Sequence, residues 1–84
     1  MRRVLVIDDH EASRRTVLGA LAKNGYEIAA QSTSGKTALG LAATTSPDVA
    51  LMAVGLSDLD GIQAAAAIIR ARPLPIVLII SHYH

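Results

Sequence analysis

Residues 47–61, PDVALMAVGLSDLDG, pass from an apolar run straight into a turn and a helix start. The run from Val49 to Val54 is apolar at odd and even positions alike, which a strand with one wet face is not. It predicts a central parallel strand covered on both sides. The run breaks at Gly55. Ser57, Asp58, Asp60 and Gly61 then supply turn residues and a helix cap beyond the strand's carboxyl end, where open α/β sheets hold ligands. Ala53 stands at the strand tip, where such a site calls for a reactive side chain.

Working outward, the flanking segments alternate strand and helix patterns. Val4-Leu5-Val6-Ile7 is a β-branched, fully apolar run stopping at Asp8-Asp9, so it reads as a second buried parallel strand with acids at its carboxyl end. From His10 or Glu11 to about Asn24 the period is helical. Val17, Leu18 and Leu21 share a face, Arg14, Arg15 and Lys23 lie elsewhere, and Asn24-Gly25 closes the helix. Tyr26 to Gln31 is a short strand followed by the loop Ser32-Thr33-Ser34-Gly35. A helix carrying Ala38, Leu39, Leu41 and Ala42 then fades at Thr44-Thr45-Ser46 before Pro47. Beyond the central stretch a third helix runs from Asp60 or Gly61 to Arg72 and is ended by Pro73 and Pro75. Ile76-Val77-Leu78-Ile79-Ile80 follows as a fourth buried strand that ends at Ser81. The order βαβαβαβ with short connections implies parallel strands joined by right-handed crossovers.

Composition narrows the function classes. Eighty-four residues, 51% hydrophobic and 18% charged, specify one folded domain. The only aromatics are two Tyr, so the core is aliphatic. A net charge of +1, with arginines spread along the chain and no interleaved aromatics, argues against direct nucleic-acid binding. No cysteine is present, which removes disulfides and thiolate metal sites and fits a reducing compartment. The start MRRVLVIDD has too short an apolar segment for a signal peptide, and no run approaches a membrane span. By elimination the expected location is cytoplasmic.

Asp8-Asp9 after the first strand, PDVALM before the turn, GLSDLDG after it and Ser81 ending the fourth strand together resemble the receiver domain of bacterial response regulators. The resemblance extends over essentially the whole chain. It implies an α/β, flavodoxin-like doubly wound parallel sheet, here in the order 2-1-3-4 with three helices. In that family two acids at the first strand bind Mg²⁺, an aspartate at the tip of the third strand takes a phosphoryl group from a histidine kinase, and a Ser or Thr ending the fourth strand bonds the phosphoryl oxygens. A lysine after a fifth strand contacts the same group. By position, Asp8 and Asp9 match the metal acids, Gly55 the residue lending a backbone carbonyl to the metal, and Ser81 the hydroxyl.

Two departures shape the expected function. Ala53 replaces the phosphoacceptor aspartate, and a methyl group forms no acyl phosphate, so phosphotransfer is expected to be absent; Asp58 and Asp60 lie past the turn. Ser57 also replaces the proline usual in that loop. The second departure is that the sequence stops shortly after Ser81, so the match is to a receiver without its fifth strand, its lysine and its last two helices. An apolar fourth strand at a sheet edge invites pairing, so self-association is expected through Ile76 to Ile80. With one anionic ligand missing, Mg²⁺ binding at Asp8, Asp9 and the Gly55 carbonyl is expected to be weak. The plain alternative for Asp8-Asp9 is an acidic strand end that caps the next helix, and for Ser81 a strand-ending hydroxyl.

The expected function is therefore a signalling domain that works by protein contact, with a histidine kinase or another signalling protein as partner, and without turnover of its own. The rival class is a small nucleotide- or phosphate-binding enzyme using the loop from Ser32 to Thr37, because Gly35-Lys36-Thr37 matches the tail of a P-loop. Against it, the first glycine of that motif falls at Ala30. His10, His82 and His84 lack the further ligands a zinc site needs.

Overall fold

A computed structural model of the chain describes residues 2–56 and 60–79. Seven elements alternate along it: β1 (Arg3–Ile7), α1 (Glu11–Lys23), β2 (Glu27–Ser32), α2 (Ala38–Thr45), β3 (Val49–Ala53), α3 (Gly61–Ala71) and β4 (Ile76–Ile79). All strand pairs are parallel and the order is β2-β1-β3-β4, the doubly wound arrangement expected from the sequence. Of the three apolar runs, Val4–Ile7 and β3 form the inner strands, whereas β4 lies at the edge of the described sheet with Val77 50% exposed, so the expectation of a fourth buried strand does not hold there. The pairing of the inner strands matches Val4 with Val49 and Ile7 with Met52.

One face of the sheet is closed by α2 and α3. Leu5, Ile7, Ala50 and Met52 project from the strands into a core completed by Ala38 and Ala42 of α2 and Ala64 and Ile68 of α3. Alanine at the helix contacts lets α2 and α3 sit close on the sheet, and the bulk is supplied from β1 and β3. The opposite face is different. Val4 and Val6 of β1 are buried there, but α1 packs over β1 and β2, and none of its own residues is fully buried. Val49 and Leu51 of β3 are consequently half-buried, so the expectation of a strand covered on both sides holds for one face and only partly for the other. Among the described residues a single helix of 13 residues lies on this face, across β1 and β2. Between α1 and β4 this leaves a groove of about 320 Å³ lined by Leu21, Tyr26, Leu51 and Val77.

The element ends follow local chemistry. Asn24 caps α1 through both its backbone N–H and its Nδ2, which donate to the Ala20 carbonyl, and Gly25 takes the left-handed φ of 81° that ends the helix. Asp60 Oδ1 accepts from the Ile62 N–H at 2.7 Å, the cap read from the sequence. The turn before β3 departs from expectation. Ser46, which precedes Pro47, is left-handed at φ 48° rather than extended. It is tied down on both sides. The Arg3 guanidinium bonds the Thr45 carbonyl, the Arg3 N–H donates to Asp48 Oδ2 at 2.8 Å, and the Asp48 N–H donates back to the Arg3 carbonyl at 2.8 Å. This clasp fixes the start of β3 against the start of β1 and so sets which residues meet at the other end of the sheet.

Candidate functional site

At the carboxyl end of the sheet the register brings the acidic pair and Ala53 to the same end of the molecule. Ile7 pairs with Ser32 on one side and with Met52 on the other, so Asp8, one residue further along, stands between the end of β2 and Ala53. The Asp8 N–H extends the ladder by donating to the Ser32 carbonyl at 3.0 Å. Ala53 is 5% exposed and pairs with Ile79 of β4. The acidic pair and the tip of the middle strand therefore share one end of the molecule, as the parallel reading requires.

The two aspartates are not equivalent. Asp8 is fully buried and Asp9 half-buried. Asp8 Oδ1 accepts from the His10 N–H at 2.9 Å, which turns the chain into α1. His10 itself is the N-cap, its Nδ1 accepting from the Ser13 N–H at 3.3 Å and lying 2.9 Å from Ser13 Oγ. The plain alternative for the doublet, an acid that orders the helix entry, thus accounts for one carboxylate oxygen of Asp8. Asp8 Oδ2 is buried and has no hydrogen-bond partner among the described residues. A buried carboxylate oxygen without a donor is costly. It suits a bound cation, and hard divalent ions take oxygen ligands of this kind. Among the described residues no cluster of three or more His, Asp or Glu side chains forms. Of the residues expected to hold a cation, Asp8 and Asp9 lie at this end of the sheet, and Gly55 is exposed just past the end of β3.

Ser81, the expected phosphate-bonding hydroxyl, lies outside the described residues, as do Ser57, Asp58, Ile80, His82 and His84. Asp60 is exposed and spent on capping α3.

The loop from Ser32 to Thr37 gives no support to a phosphate cradle. The Thr37 hydroxyl donates to the Ser34 carbonyl at 2.9 Å, so the 2.7 Å contact between Ser32 Oγ and Thr37 Oγ1 uses the serine proton. Ser32 Oγ in turn accepts from the Ser34 N–H at 3.0 Å. The Ser32 and Thr37 hydroxyls satisfy one another and the loop's own backbone, and α2 starts only at Ala38.

Two residues make contacts at this end that the sequence pattern does not show. Gly61 opens α3 against the backbone of Ala53 and Val54, and its N–H donates to the Val54 carbonyl at 2.9 Å. Arg14 reaches back from the second turn of α1 and donates from Nη1 to the Asp8 carbonyl at 3.1 Å.

Comparison with known proteins agrees with this geometry. The response regulator receiver domain matches residues 4–84. A protein-glutamate methylesterase/protein-glutamine glutaminase of Anaeromyxobacter dehalogenans is 39% identical over 82 residues, covering 96% of this chain and 24% of that protein. The transcriptional regulatory protein PdtaR of Mycobacterium tuberculosis is 37% identical over 78 residues, covering 93% of this chain and 38% of that protein. Among solved structures, the signal receiver domain of a modulated diguanylate cyclase from Desulfovibrio desulfuricans superposes with a TM-score of 0.92 at 29% identity, covering 100% of this chain and 68% of that one. The chain thus spans about a quarter to two fifths of the two curated relatives. No described helix is long and apolar enough to cross a membrane.

Proposed function

This chain belongs to the response regulator receiver domain family, and from that premise we propose that it is a two-component signalling domain that takes no phosphoryl group and acts in the cytoplasm through protein contact. The observation that carries the proposal is Ala53, nearly buried at the tip of β3 beside the acidic strand end. At that position a methyl group offers no nucleophile, whatever the kinase presents. The remaining parts of the pocket are assigned by position: Asp8, Asp9 and the Gly55 carbonyl to a weakly held Mg²⁺, and Ser81 to an anionic oxygen. The orphan Asp8 Oδ2 supports the cation assignment. When bound, the cation supplies charge neutralisation to the acidic end of the sheet. A histidine kinase or another signalling protein is the proposed partner, and the domain itself carries out no catalytic turnover.

The test is incubation with a small phosphodonor followed by intact mass, on this chain and on Ala53→Asp. The expected result is no change for the parent and the gain of one phosphoryl group for the variant, with circular dichroism showing both folded. Uptake by the parent overturns the proposal. Silence from both chains means that the pocket lacks more than its acceptor.

We also propose that the domain self-associates along β4. In the described sheet β4 pairs on one side only, with β3, and Val77 on it is 50% exposed. An apolar edge of this kind is a template for a second strand. Light scattering is expected to report a mass above the monomer, and Val77→Lys, which places a charge on the edge, to return it to the monomer. A stable monomer of the parent chain at high concentration removes this part of the proposal.

A further inference from the structure

We propose that Arg14 is a positioning residue for the acid pair, clamping the Asp8–Asp9 peptide so that both carboxylates keep the arrangement a divalent cation needs; this rests on the cation reading of Asp8 and Asp9 given above. Arg14 and Arg15 are adjacent in sequence but do different things. Arg15 points outward and pairs with Glu11 at 3.7 Å, with the two side chains 76% and 74% exposed. Arg14 is half-buried, and its Nη1 donates to the Asp8 carbonyl at 3.1 Å.

That carbonyl belongs to the peptide plane whose N–H is carried by Asp9. The Asp8 N–H is held by the Ser32 carbonyl and Oδ1 by the His10 N–H. Those two bonds fix Asp8 from the sheet side and from the helix entry. The plane leading to Asp9 is fixed by the guanidinium, a planar, permanently charged donor. The plane also lies in the ring that the His10 N–H closes onto Asp8 Oδ1, and losing the guanidinium removes the bond that holds its carbonyl from outside, so the plane tilts and the Asp9 backbone moves with it. The guanidinium also brings a positive charge to the Asp8 carbonyl, at the end of the strand that carries the two acids. It offsets their repulsion when no cation is bound, at the cost of repelling a cation that arrives. Positioning and repulsion predict opposite effects of removing the charge, which makes the proposal testable.

Arg14→Met keeps the apolar stem and removes both bond and charge, whereas Arg14→Lys retains a charged donor that reaches the same carbonyl. The experiment follows the backbone amide resonances of the parent and both variants without metal and through a Mg²⁺ titration. In Arg14→Met the Asp9 ¹⁵N resonance is expected to move, because it senses hydrogen bonding to the preceding carbonyl. Mg²⁺ affinity is expected to fall about tenfold, the usual cost of losing an outer-shell partner. Arg14→Lys restores both. Arg14→Met that leaves the Asp9 resonance in place, or that binds Mg²⁺ as tightly as the parent or tighter, overturns the proposal and leaves Arg14 a mere screening charge. If the parent itself shows no response to Mg²⁺, the cation reading fails by itself. The metal-free Asp9 shift in Arg14→Met and its recovery in Arg14→Lys still decide whether Arg14 positions the pair.

Discussion

Gly61→Ala is expected to be the most destabilising single methyl that can be added to this chain, lowering stability by about 3 kcal/mol through forced repacking. For a domain of this size that corresponds to a drop of roughly 15 °C in Tm. A Cβ built on Gly61 runs into the Ala53 carbonyl oxygen and stands 2.9 Å from its carbon and 3.0 Å from Val54 Cα. Everything it meets is backbone, so no side chain can swing aside. Relief requires opening the junction of β3 and α3, which breaks the bond from the Gly61 N–H to the Val54 carbonyl and moves the tip of β3. The control is internal. Gly19 and Gly40 lie inside α1 and α2 with nothing within 4 Å of an added Cβ, so the same substitution there is expected to raise stability by about 0.5–1 kcal/mol each. Thermal melts of the three variants read opposite signs for one chemical change. Equal small effects at all three would show that the close approach of α3 to the strand tip does not exist.

This contrast also shows what was legible in the sequence. The inner strands were readable because Val4-Leu5-Val6-Ile7 and the run from Val49 are apolar on both faces, the pattern of strands in a parallel sheet, although the equally apolar run from Ile76 lies at the edge of the described sheet. The Asn24-Gly25 stop and the Asp60 cap were readable because each is a local bond within a few residues. The need for glycine at 61 was not, since it is set by a carbonyl eight residues away that approaches only once the chain has folded. Val17, Leu18 and Leu21 look like a core stripe, yet they are only half-buried, because burial depends on the width of what lies opposite and not on helical phase. The doublet Asp8-Asp9 gave no sign of which acid goes inside. β1 is buried on both faces from Val4 to Ile7 and its ladder runs one residue further, through the bond from the Asp8 N–H to the Ser32 carbonyl, so Asp8 stays inside and Asp9 emerges half-buried. Nor did Arg14-Arg15 reveal which arginine turns toward the strand end, a matter of where α1 begins. At Ala53 the letter alone carries the proposal, since a methyl stands where the family resemblance calls for an acceptor carboxylate.

Asp8→Asn is expected to raise the stability of the metal-free domain by about 1–3 kcal/mol while removing its response to Mg²⁺. The buried Asp8 carboxylate has one oxygen bonded to the His10 N–H and the other without a described partner. An asparagine of the same shape keeps the acceptor for His10 and so keeps the entry into α1, and it discards the charge whose burial is the larger cost. Cation binding is expected to compensate that cost in the parent only, because a ligand that binds the native state stabilises it in proportion to its occupancy. The measurement is a pair of melts for each protein, with and without excess Mg²⁺. The parent should melt below Asp8→Asn in the absence of metal and rise on its addition, and the variant should start high and stay put. A residue that weakens its own fold and strengthens ligand binding is retained for the ligand, so the sign of the metal-free difference separates a cation site from a helix-entry acid. If Asp8→Asn instead melts below the parent without metal, both oxygens are serving the fold, and the acid doublet is the structural strand end that its sequence also allows.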